Sequence, residues 1–167
     1  MKQMWAPWRL EYILSLSKDK LSQDLTKKKP CVFCDRAHGK PGIKNLVLFK
    51  GKKSYIILNR YPYTNGHLMV IPYRHISDYT QLTQEEHKEM GVLKSKAVAA
   101  LKKVYNPEGF NIGMNLGQAG GAGIKDHLHY HIVPRWLGDS NYMSVVSETR
   151  VIMDSLENTY RKIKKSL

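Results

Sequence analysis

His127-Leu128-His129-Tyr130-His131-Ile132-Val133 is the stretch that decides how this chain is read. Three imidazoles alternate with apolar residues, and a strand turns successive side chains to opposite faces. As a strand, the segment lines the three histidines along one side and buries Leu128, Tyr130 and Ile132 on the other. Alternate residues on one face sit about 7 Å apart, near enough for two or three rings to serve one bound group. A neutral imidazole needs both a donor and an acceptor satisfied, so this density of histidine calls for a chemical reason. The spacing alone also admits ordinary core or surface histidines, or a catalytic zinc held by all three, with a metal-bound water as nucleophile.

The segment just before the run is Asn115-Leu-Gly-Gln-Ala-Gly-Gly-Ala-Gly123, with four glycines in nine residues. Glycine lets backbone amides approach an anion closely and adopt the positive φ that turns N–H groups inward. Gly120, Gly121 and Gly123 are therefore candidates for cradling phosphate. The middle histidine, His129, is the natural nucleophile. A neutral imidazole can attack phosphorus and divide a hard displacement into two easier ones. His127 and His131, one on each side, can hold its tautomer or donate to the phosphate or leaving group.

Further out, Leu46 to Phe49 and Tyr55 to Leu58 read as a hairpin across Gly51, and His67 to Ile71 as a third strand closed by Pro72. Thr83-Gln-Glu-Glu86 is a capping box. It opens a helix whose apolar stripe is Met90, Leu93, Ala97, Leu101 and Val104. Phe110 to Met114 and His127 to Val133 complete the strands, and a helix over 147–166 carries Ile152, Leu156, Ile163 and Leu167 inward. Strands outnumber helices and come as hairpin neighbours, so the class is α+β with an antiparallel sheet. Residues 1–167 form one domain: residues 1–30 are an arm and connecting loop, in which Trp5 and Trp8 dock on the body or on a partner subunit.

No apolar run reaches the roughly 20 residues of a membrane helix, and the N-terminus lacks the apolar core of a signal peptide. A cytoplasmic protein is expected. The formal charge of +13 favours anionic partners such as nucleotides, nucleic acid or an acidic protein, but no nucleic-acid-binding motif is present. Cys31-Val-Phe-Cys34 has zinc-ligand spacing, and without other cysteines two histidines must complete a site. The candidates are His38, His67, His75, His87 and one of the run.

The chain resembles the histidine-triad family, whose signature His-φ-His-φ-His-φ-φ is met at all seven positions from His127 to Val133. Asn59-Arg-Tyr-Pro-Tyr-Thr-Asn-Gly-His67 and Val133-Pro-Arg-Trp136 extend the likeness. Trp5-Ala-Pro-Trp-Arg9, the cysteine pair and Gly138-Asp-Ser-Asn-Tyr-Met143 narrow it to the branch of diadenosine tetraphosphate phosphorylases and hydrolases. The resemblance implies a five-stranded antiparallel sheet with two main helices, usually a homodimer. It implies catalysis by His129, His131 and His127, with His129 taking the nucleotidyl group. It implies ribose binding at Asn59 and phosphate binding at Asn115 and the following loop. It also implies a structural zinc on Cys31, Cys34, His75 and His127. Residues 123–126 depart from the usual Ser, Thr or Gln, so backbone amides or Gln118 must contact the α-phosphate. The expected activity is cleavage of dinucleoside polyphosphates, and a nucleoside phosphoramidate hydrolase or a non-catalytic nucleotide-binding regulator are the alternatives.

Overall fold

The computed structural model describes residues 31–139 and 152–167. Five strands, β1 (Val47–Lys50), β2 (Ser54–Leu58), β3 (Leu68–Pro72), β4 (Gly109–Met114) and β5 (Tyr130–Arg135), form one sheet. Its spatial order is β1-β2-β3-β5-β4, and every pairing is antiparallel. The helices are a short α1 (Val32–Ala37), α2 (Gln84–Tyr105) and α3 (Leu156–Lys164).

Of the three interior strands, β2 and β3 bury every residue, because both faces of the sheet are covered there. Alternation assigns Ile56, Leu58, Leu68, Val70 and Ile132 to one face. These join Met90, Leu93, Ala97 and Leu101 of α2 in the apolar core. Tyr55, Ile57, Met69, Ile71 and His131 share the other face, where the Tyr55 hydroxyl donates to the Phe33 carbonyl of α1 at 2.8 Å. The chemistry-bearing face is the one opposite α2.

α2 starts at the expected capping box: Thr83 Oγ1 accepts from the Glu86 amide, and Glu86 returns a carboxylate to the Thr83 amide. Glu86 is buried and also holds Arg74 in a two-pronged ion pair. The neighbouring Glu89 ties the β1–β2 turn to the helix, accepting from the amides of Lys52 and Lys53 and from the Ser54 hydroxyl. The helix ends at Asn106, whose left-handed φ of 43° precedes Pro107. At the other end of β3, a Cβ on Gly66 (φ +78°) would lie 2.8 Å from Leu101 Cδ2. Glycine there brings the turn tight against α2 and fixes where His67 emerges.

Two expected boundaries move. Ladder pairing in the histidine run starts at Tyr130, not His127; His127 and Leu128 precede it, held by the Leu128 amide on the Ile76 carbonyl at 2.8 Å. The C-terminal helix begins at Leu156 behind the Ser155 cap, and Ile152 is exposed. Its inward face is Thr159, Tyr160 and Ile163, with Leu156 and Leu167 half-buried. The rest of the expected 147–166 span, like Trp5 and Trp8, lies outside the described residues. Among the described residues, no helix is long and apolar enough to cross a membrane.

Candidate active site

Each histidine of the run has a different partner, and the partner fixes its tautomer. The His129 Nδ1 lies 2.8 Å from the His127 carbonyl oxygen. A carbonyl only accepts, so Nδ1 carries the proton and Nε2 keeps its lone pair. That is the nucleophilic form. The His127 Nε2 lies 2.9 Å from the Pro72 carbonyl and is protonated for the same reason, which leaves Nδ1 as its ligand atom. His131 is set by a longer relay. The Tyr63 amide donates to His67 Nδ1 at 3.2 Å, so His67 must carry its proton on Nε2. That Nε2 donates to His131 Nδ1 at 2.9 Å, and His131 is left with a proton on Nε2. Two neighbouring rings, 4.9 Å apart at their centroids, thus carry a lone pair on one and a donor on the other.

The environment keeps all four rings neutral. Burial lowers the His129 pKa, the Phe33 ring packing 5.0 Å from it, and burial likewise lowers that of His127. Burial, reinforced by His129, takes His131 down to about 4. Burial, with His131 and His129 adding repulsion, takes His67 to about 3. Burial disfavours the charged form of an imidazole, and only neutral imidazoles can hold this alternation of donor and acceptor.

The cysteine pair meets His75 and His127. His127 Nδ1 lies 3.3 Å from Cys31 Sγ and 3.5 Å from Cys34 Sγ, and His75 Nδ1 lies 3.4 Å from Cys34 Sγ. All four ligand atoms fall within 4.8 Å of one another. A tetrahedral ion with bonds of roughly 2.0–2.3 Å spaces its ligands about 3.3–3.8 Å apart, and the three contacts of 3.3–3.5 Å fit one. The donor set fits as well: burial, with Cys31 adjacent, pushes the Cys34 thiol up to about 11, and a coordinated dication would relieve that crowding of two thiols. The Pro72 carbonyl orients His127 as an outer partner does for a metal-bound imidazole. These four residues could hold a metal. His38 and His87 are outside the cluster; His87 packs its ring 5.2 Å from Tyr79. The run does not close on a single shared ion, since only His127 of the three faces the cysteines.

Two of the remaining expected site residues, Asn59 and Asn115, hydrogen-bond within the protein. The Asn59 carboxamide accepts from the Tyr61 amide at 3.0 Å and donates to His67 Nδ1 at 3.2 Å, so it supports the relay. Asn115 Nδ2 donates to the Gly121 carbonyl at 3.3 Å. Within the loop, the Gly121 amide donates to the Gln118 carbonyl and the Ala122 amide to the Gly117 carbonyl. The Gly121 and Ala122 amides close the loop's own turns, where the sequence suggested amides turned to an anion. A Cβ on Gly120 would lie 2.3 Å from the Leu116 oxygen, so that glycine sets the loop's shape. Beside His131, a hollow of about 330 Å³ is lined by Tyr63, Asn111, Gly113, Asn115 and Arg135. The sequence marks His67 only as a zinc candidate and the end of a motif, and does not show its part in the relay. Its signal lay in the Asn59–His67 segment together with a β3 strand paired to the histidine strand.

A HIT domain model matches residues 40–136, and the chain belongs to the HIT-domain family. Among individual relatives, the AP-4-A phosphorylase of Mycobacterium tuberculosis is 36% identical over 162 residues, covering 96% of this chain and 82% of its own. A Zn-bound histidine triad family protein from Mycobacterium smegmatis superposes with a TM-score of 0.65 at 29% identity, covering 81% of this chain and 91% of its own. A hypothetical histidine triad nucleotide-binding protein from Sulfolobus tokodaii gives a TM-score of 0.64 at 26% identity, with the same coverages.

Proposed function

We propose that this protein cleaves dinucleoside polyphosphates, diadenosine tetraphosphate above all, through a nucleotidyl group carried on His129. His129 Nε2 attacks the α-phosphorus, and the His131 Nε2–H donates to the oxygen on which charge builds. Water or orthophosphate then takes the nucleotidyl group and returns the electron pair to His129. The observation that carries this reading is the pair of contacts from His129 Nδ1 to the His127 carbonyl and from His67 Nε2 to His131 Nδ1, from which opposite roles at the two free Nε2 atoms follow. The 36%-identical AP-4-A phosphorylase supports the substrate class and inclines the second step to phosphate.

Asn59, Asn115, Gln118, Gly120, Gly121 and Gly123 are assigned to nucleotide binding, with Asn59 at the ribose. Zinc is the metal assigned to Cys31, Cys34, His75 and His127, where it would brace the start of the histidine run and take no part in bond breaking. The chain is assigned as a homodimer, supported by the edge strand β4, which pairs only with β5 among the described residues and leaves Ile112 47% exposed; sedimentation equilibrium tests it. Diadenosine tetraphosphate supplied with phosphate should give ADP plus ATP, and His129→Ala should abolish turnover while the fold is kept. Near-normal turnover in that variant would refute the reading.

A further inference from the structure

The hollow beside His131 lies on the chemistry-bearing face. β5 presents His131, Val133 and Arg135 there, and their cross-strand partners Gly113 and Asn111 on β4 continue it towards the sheet edge. On its other side the His131 ring is held by His67. A group that receives the His131 proton and moves away from His129 must therefore pass towards β4. Among the described residues, a Cβ built on Gly113, opposite His131, would meet nothing within 4 Å.

Resting on the nucleotidyl-transfer reading, we propose that this hollow holds the leaving polyphosphate in the first step and orthophosphate in the second. Arg135 and Asn111 then select phosphate over water as acceptor. Displacement at phosphorus is in line. The α-phosphorus bonds to His129 Nε2 as its bond to the bridging oxygen breaks, and the nucleoside polyphosphate departs with that electron pair. In the second step an orthophosphate oxygen forms the new P–O bond, and the P–N electron pair returns to Nε2. The acceptor must approach opposite His129, along the path by which the leaving group went. One site serves both.

The lining suits phosphate. Arg135 Nη1 donates to Asn111 Oδ1 at 2.8 Å, and Asp139 accepts from its Nε and Nη2. The guanidinium is thereby fixed in orientation with further N–H groups beyond these bonds. Because Asn111 Oδ1 accepts from Arg135, its amide NH2 is the end that can donate to an anion. A volume of about 330 Å³ lies near the small end of ligand sites, roughly 300–1,000 Å³. It matches a string of phosphates or one orthophosphate better than a second whole nucleotide.

The test follows products from diadenosine tetraphosphate as phosphate is varied, for the wild-type protein and for Arg135→Gln, Asn111→Ala and Gly113→Val. ADP reports capture by phosphate and AMP capture by water. Asn111→Ala keeps the Arg135–Asp139 pair, so it separates the contact from the fold, which a melting curve checks. Each of the first two variants should need about tenfold more phosphate for half-maximal ADP, the effect of one charge-assisted hydrogen bond. Gly113→Val, which fills the hollow, should raise both that requirement and KM for the dinucleotide. Wild-type phosphate dependence in all three variants, or AMP alone from the wild-type protein at any phosphate level, would overturn the inference. No turnover by the wild-type protein would overturn the functional reading first, and this inference with it.

Discussion

His67 Nε2 donates to His131 Nδ1 across 2.9 Å, joining the last residue before β3 to the neighbouring strand β5. Without that bond His131 has no reason to prefer the tautomer with its proton at Nε2, and the donor facing the substrate is lost. His67→Ala should lower kcat/KM about 100-fold, the usual span for a misplaced general acid, with the fold retained by circular dichroism. A change smaller than threefold would show that the relay is dispensable.

Acid should destabilise the protein through the same pair. In the unfolded chain both histidines titrate near 6.5, whereas burial holds His67 at about 3 and His131 at about 4 when folded. Above pH 6.5 neither contributes to the pH dependence. As pH falls below it the unfolded chain takes up protons that the folded one refuses, and stability drops by on the order of 1.4 kcal/mol per pH unit for each residue. The loss levels off below the folded values. Urea midpoints at pH 7, 6 and 5 measure it, and His67→Asn should take out the His67 share of the slope, on the order of 1.4 kcal/mol per pH unit, leaving that of His131 and of the buried His127 and His129.

Metal removal should act on stability before chemistry. A chelator should lower the Tm by about 5–10 °C, the shift expected when a ligand held at about 100 times its Kd is withdrawn from a chain of this size. Elemental analysis should find one zinc per chain, and Cys34→Ser should lose it. An unchanged Tm and no bound metal would remove the ion from the account.

Much of this site is legible in the sequence because its periods are local. The capping box at Thr83 and Glu86 and the strand alternation of the histidine run each depend on a handful of neighbouring residues; the structure keeps the box, and keeps the strand from Tyr130 onward. The grouping of Cys31 and Cys34 with His75 and His127 came from resemblance, since spacing alone left five histidine candidates, and the fold brings that set together. Other features depend on groups no side-chain pattern records. The tautomers of His127 and His129 are set by carbonyls, one of them on Pro72 at the far end of β3. The hollow at Arg135 needs the β4–β5 register. In the glycine loop, composition marks where the chain turns but not which amides the turns consume.

The central claim is a bond between phosphorus and one nitrogen. Diadenosine tetraphosphate carrying labelled α-phosphorus, quenched during turnover and mapped by mass spectrometry, locates that bond directly. A single AMP-bearing peptide, with the adduct on His129, is the expected result. An adduct on any other residue, or steady turnover by His129→Ala, would contradict it.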